Sequence, residues 1–118
     1  MSGEFYDGIP LELLLFEEVR VPDPTHLRRS LRYRGALDIE PEHAVEAALD
    51  PRRLVGRDPS SRTGESIRVV GYSAGMGRLL TVVLLPDRHP PDGVWQIATA
   101  WPTDKRVRPA YQGLWEVS

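Results

Sequence analysis

The chain has 118 residues, a formal net charge of −2 and no cysteine. That length suits a single domain, able to bury roughly two thirds of the surface its unfolded chain exposes, and the missing cysteine excludes a disulfide framework and thiolate metal ligation. Residues 1–8 are acidic and polar where a secretory leader would be basic and then apolar, and the apolar runs 13–16 and 79–85 fall far short of the roughly 20 residues of a membrane span. The expectation is a cytoplasmic protein with no membrane partner.

Charge is unevenly spread. Glu4, Asp7, Glu12, Glu17 and Glu18 all precede the first basic residue, Arg20, so the remainder of the chain is net positive. Lys105 is the single lysine among the 15 basic residues. Arginine favours planar, two-pronged contacts with phosphate or carboxylate where several converge; a GC-rich coding sequence would produce the same bias.

In chain order, residues 1–10 read as a flexible lead and residues 11–21 as a strand, from the alternation of Leu15, Glu17, Val19 and Val21. Asp23 followed by Pro24 supplies an N-cap and a proline at the first helical position, and Gly35 a terminator, for a helix that turns Leu27 and Leu31 inward. Pro41 opens a second helix with the apolar stripe Ala44, Val45, Ala48 and Leu49, closed by Asp50 and Pro51. Residues 56–64 read as a polar loop.

From Glu65 the period becomes two, with Ile67 and Val69 on one face and Arg68, Val70 and Tyr72 on the other. After a turn at 74–77, the run 79–85 is apolar on both faces and belongs in the centre of a sheet. A polar turn at 86–93 leads to a third strand over 94–101, whose Trp95, Ile97, Thr99 and Trp101 alternate onto one face, as core or as a stacking platform for bases. Thr103 caps a short final helix that Pro109 ends or kinks. The predicted fold is α+β: an N-terminal strand, two helices, a three-stranded antiparallel meander and a short C-terminal helix.

Gly71-Tyr72-Ser73-Ala74-Gly75 matches the G-x-S-x-G nucleophile elbow, with Asp87 and His89 downstream in the order of a hydrolase. The elbow needs a helix after its serine. Here two glycines and an apolar strand come next, so the string reads as a hairpin turn. His26, His43 and His89 lack metal-ligand spacing, and no metal or cofactor is expected. His43 lies beside the apolar stripe of the second helix, at the edge of a cleft or of the core. Arg68 and Arg78 lie within or at the edge of the meander, where a rigid sheet would fix them. Two further basic stretches, Arg28, Arg29, Arg32 and Arg34, then Lys105, Arg106 and Arg108, bind phosphate only if they converge. Tyr111 either packs or presents its hydroxyl.

Several strings, in order and spacing, resemble BrnT-type toxins of the RelE/ParE superfamily over about residues 14–111. They are Phe16-Glu17, the helix ending at Gly35, Glu42-His43-Ala44-Val45-Glu46-Ala47 running to Asp50-Pro51, and Gly64-Glu65 with Arg68. Next come Gly71-Tyr72-Ser73, Gly77-Arg78-Leu79-Leu80-Thr81-Val82-Val83, Ile97-Ala98-Thr99-Ala100, and Lys105-Arg106-Val107-Arg108 before Tyr111. The resemblance implies a RelE-like fold and a translation-inhibiting, metal-independent ribonuclease held inactive by a cognate antitoxin, with mRNA, free or on the ribosome, as target. In such a site Arg68 and Arg78 would hold the phosphate, Lys105, Arg106, Arg108, Arg32 and Arg34 would bind the RNA backbone, and His43 or Tyr111 would handle protons. The alternative is a catalytically inactive relative that uses the same fold to grip a protein partner.

Overall fold

The computed structural model describes residues 5–6, 9–28, 30, 34–35, 37–58, 65–88 and 91–103, with residues 5, 6, 9, 10, 12 and 26 described by backbone alone. The short strands β1 (Phe5–Tyr6) and β2 (Ile9–Pro10) form a two-stranded antiparallel ladder. The main sheet has five strands, β3 (Glu18–Arg20), β4 (Leu54–Arg57), β5 (Ile67–Ser73), β6 (Arg78–Pro86) and β7 (Val94–Pro102), in the spatial order β3-β7-β6-β5-β4. One α-helix, α1 (Pro41–Ala48), lies across β5 and β6. Among the described residues, no helix is long and apolar enough to cross a membrane.

The expected RelE-like plan of two helices and a three-stranded meander is therefore corrected: the described residues form a small α+β domain with one α-helix and a five-stranded mixed sheet. β5, β6 and β7 are adjacent and antiparallel, but the sheet continues beyond both ends of this trio. On one side β4 pairs antiparallel with β5, Leu54 opposite Val70. On the other, β3 pairs parallel with β7, Glu18 opposite Val94. β4 includes Gly56 and Arg57, which the sequence assigned to a loop; Leu54 and Val55 are its apolar signal.

The first expected helix is also corrected at its start, while residues 29 and 31–33, Leu31 among them, lie outside the described residues. Asp23 does cap, accepting from the Thr25 amide at 3.1 Å, but the turn it starts is a 3₁₀ segment, Pro24–Leu27. The carbonyl of Leu27, which a continuing helix would give to the residue four positions on, accepts instead from the Ile39 amide at 2.9 Å. Leu27 and Ile39 are both buried, so their packing, not helix propensity, sets the path. The N-terminal strand is shorter than expected because Leu11–Leu13 is a 3₁₀ turn that buries Leu11 and Leu14, three residues apart, on the same side.

Ala44, Ala47 and Ala48 of α1 are fully buried against the sheet face carrying Ile67, Val69, Leu80, Val82 and Leu84. Small side chains let the helix axis approach closely. An eight-residue helix has little stability of its own, so this packing holds it. Gly71 shows how close the approach is: a Cβ there would lie 1.8 Å from the Ala47 carbonyl oxygen.

A bulge in β7 redistributes its aromatic residues. Leu84 pairs with Ile97 but Val83 with Thr99, leaving Ala98 without an opposite number, and such an extra residue switches the face of the residues after it. Trp95 and Ile97 point into the helix-side core, Trp95 stacked on Phe16 with centroids 5.3 Å apart and donating its indole N–H to the Leu15 carbonyl at 2.8 Å. Thr99 and Trp101 share the opposite face with Arg68. The four residues do not form one platform.

Candidate functional site

Sheet register decides which of the expected residues can act together. Arg68 pairs with Val83 and Arg78 with Ser73. Because successive side chains alternate between faces, Arg78 emerges with Ser73 on the helix side and Arg68 on the other. The two guanidinium groups are held by one hairpin and do not converge.

Arg68 is also committed elsewhere. Its Nε donates to Asp58 Oδ1 at 3.1 Å, and its guanidinium carbon lies 5.1 Å from the centre of the Trp101 ring. Asp58, with its side chain only 7% exposed, takes the Ser66 hydroxyl on its other oxygen at 2.9 Å. A carboxylate so buried needs those donors. Arg53 is similarly engaged: it lies 4.2 Å over the Phe16 ring and donates to the Asp50 carbonyl at 3.1 Å. Burial lowers its pKa, and the Asp50 charge opposes the shift.

The helix-side end of the β5–β6 hairpin is different. Glu46 Oε1 accepts from the Ser73 hydroxyl at 2.8 Å and from the Gly75 amide at 3.2 Å, while the Ser73 oxygen accepts from the Met76 amide at 3.2 Å. The helix thereby grips the hairpin turn by one carboxylate. His43, one turn earlier on α1, lays its ring against Gly75, where an added Cβ would meet Cδ2 and Nε2 at 2.7 Å. Arg78 is exposed beside this cluster and makes no ion pair among the described residues. Ser73 itself is fully buried. Its hydroxyl is a turn anchor with both its donor and an acceptor position filled, so the G-x-S-x-G string is structural here.

Next to the hairpin is an open depression of about 360 Å³, lined by Glu46, Leu49, Pro51, Arg52, Tyr72 and Ala74 together with Asp50. Asp50 holds both of its walls, accepting from the Tyr72 amide at 2.8 Å and from the Arg52 amide at 3.0 Å. Glu46 borders both the depression and the His43 cluster.

Of the residues expected from the sequence, His43 and Arg78 come to one end of the sheet and Arg68 does not join them. Arg34 is exposed in the turn with Gly35, whose φ is 77°. Arg32, Lys105, Arg106, Arg108 and Tyr111, with the final helix, lie outside the described residues. Sequence reasoning passed over Glu46 as a functional group. Its signal is the i, i+3 spacing from His43, which puts both on one helix face. Among the described residues, no three His, Asp or Glu side chains gather closely enough to hold a metal ion.

No protein-family model matches the chain, and no curated protein matches it.

Proposed function

We propose that the chain is an RNA-cleaving toxin of the type its sequence resembles, with its reactive centre at the β5–β6 hairpin end and not across the meander. The observation that carries this reading is the gathering of the imidazole of His43 and the exposed guanidinium of Arg78 beside a turn fixed by Glu46. RNA brings its own nucleophile. His43 accepts the proton of a ribose 2′-hydroxyl as that oxygen bonds to the adjacent phosphorus. Arg78 stabilises the added negative charge of the five-coordinate phosphorus. The bond to the 5′-oxygen then breaks, that oxygen takes a proton from water, and the products are a 2′,3′-cyclic phosphate and a 5′-hydroxyl. A cognate antitoxin is the expected protein partner.

One observation favours the second reading, a catalytically inactive module that binds a protein. Arg68, expected to share the phosphate with Arg78, is held by Asp58 and Trp101, which leaves one arginine where two were expected.

Purified protein incubated with total RNA and a chelator separates the two. The ribonuclease reading predicts fragments ending in cyclic phosphate, absent with His43→Ala. Intact RNA in the presence of folded wild-type protein leaves the binding module.

A further inference from the structure

We infer that Glu46 is a positioning residue for the proposed reaction, setting the orientation of the His43 imidazole through Gly75; this deepens the ribonuclease reading and rests on it for the chemistry. An imidazole that takes a proton must present one nitrogen to the hydroxyl, and a hydrogen bond on its other nitrogen is the usual device that fixes the ring. Among the described residues His43 makes no side-chain hydrogen bond with either nitrogen. Its ring is oriented by packing instead. Cδ2 and Nε2 lie 2.7 Å from the point a Gly75 Cβ would occupy, and Glu46 Oε1 lies 3.0 Å from the same point. A residue without a Cβ lets the ring and the carboxylate close on the turn together.

The turn closes on itself without the helix. The Gly77 amide donates to the Ser73 carbonyl at 2.7 Å and the Met76 amide to the Ser73 hydroxyl at 3.2 Å. Ser73 is also held by the sheet, paired with Arg78. Gly75 has no ladder partner; its amide reaches out of the hairpin to Glu46 Oε1 at 3.2 Å.

That one bond therefore sets where the wall of the His43 ring stands. His43 and Glu46 lie three residues apart on one face of α1, so the ring and the group that holds its wall share one rigid element. A hydrogen bond to a carboxylate is stronger than one between neutral groups. Without Glu46 the tip of the turn moves off the helix, and the imidazole gains rotamers that point away from the 2′-hydroxyl. Proton transfer depends steeply on such placement.

Two measurements on the whole chain test this: the nuclear Overhauser contact between His43 Hδ2 and Gly75 Hα without RNA, and kcat and KM on a short RNA. The contact should be present in wild type and lost in Glu46→Ala. Glu46→Ala should lower kcat about tenfold and leave KM within about twofold, while Glu46→Gln, whose carbonyl oxygen accepts from the same donors, should restore kcat to within about threefold. Glu46→Asp, one methylene short of the turn, reads the same loss should Glu46→Ala not fold. Ser73→Ala removes the other bond to Oε1 and should keep both the contact and kcat, which a merely structural role for Glu46 does not allow. A contact that survives in folded Glu46→Ala, or Glu46→Gln as slow as Glu46→Ala, would overturn the positioning role. The expected contacts with RNA left intact by wild type would sustain the ring's placement and remove the ribonuclease reading; equal cleavage by wild type and Glu46→Ala would do the opposite.

Discussion

Ser73 and Glu46 meet across 27 residues of sequence, the serine hydroxyl donating to the glutamate carboxylate at 2.8 Å. This contact joins the only α-helix among the described residues to the turn of the central hairpin. Replacing Ser73 with alanine removes a buried donor to Glu46 and the acceptor for the Met76 amide, and a loss of this kind costs about 1–3 kcal/mol. Urea unfolding of Ser73→Ala should show that loss, while cleavage per folded molecule stays near the wild-type rate. A complete loss of cleavage in folded Ser73→Ala would reinstate the serine as a nucleophile.

Two glycines on the same hairpin should respond in opposite ways. In Gly71→Ala the new methyl would fall on the backbone of Ala47, 1.8 Å from its oxygen, so helix and sheet must separate. The expected destabilisation is about 3 kcal/mol, at the upper end of overpacking costs. In Gly75→Ala the obstacles are the far ends of two side chains, the His43 ring at 2.7 Å and Glu46 Oε1 at 3.0 Å, and both can shift. That variant should melt within a few degrees of wild type yet cleave RNA more slowly. A Gly75→Ala protein with unchanged cleavage would place His43 outside the chemistry.

The sequence pattern identified α1 from Pro41 and its alanines, the three long strands, and the Asp23 cap, because each depends on neighbours in the chain. The edge strand β4 was obscured for a different reason, and the expected N-terminal strand was too long. β4 has four residues, too few for alternation to show, and the boundaries of both β3 and β4 depend on partners that only the folded sheet supplies. Arg68 and Arg78 looked equivalent because sequence spacing reveals parity only after the turn register is known. The bulge at Ala98, which sends Trp101 to the face of Arg68, leaves no mark in composition. Glu46 resembled any solvated helix carboxylate until the hairpin was folded onto it.

Asp38 gives a pH signature to its contact with Ser30. The Ser30 amide, at 2.8 Å, and then the Ser30 hydroxyl hold its carboxyl below the ordinary value of 3.8; slight desolvation opposes them and Arg28 assists. A carboxyl whose pKa is lower in the folded state adds stability above its unfolded pKa, and that contribution disappears as pH falls through the folded value. Wild-type stability should therefore fall as pH drops below about 4, and Asp38→Asn should flatten part of that fall. Urea midpoints between about pH 2 and 6 measure it; parallel curves for the two proteins would remove Asp38 from the account.

The two arginines of the hairpin provide the most direct test of the central claim. Arg68→Ala leaves the Asp58 carboxylate without one of its donors and should cost about 1–2 kcal/mol in urea unfolding, discounted for the part-exposed guanidinium. Arg78→Ala removes an exposed side chain and should change stability by less than about 0.5 kcal/mol. Each variant is induced in a bacterial host alongside wild type, with growth recorded and total RNA separated by electrophoresis. The account predicts growth arrest and RNA fragments from wild type and from folded Arg68→Ala, and neither from Arg78→Ala. Fragments that persist in Arg78→Ala and vanish in folded Arg68→Ala would contradict it, moving the reactive face to the side of the sheet that carries Asp58 and Trp101.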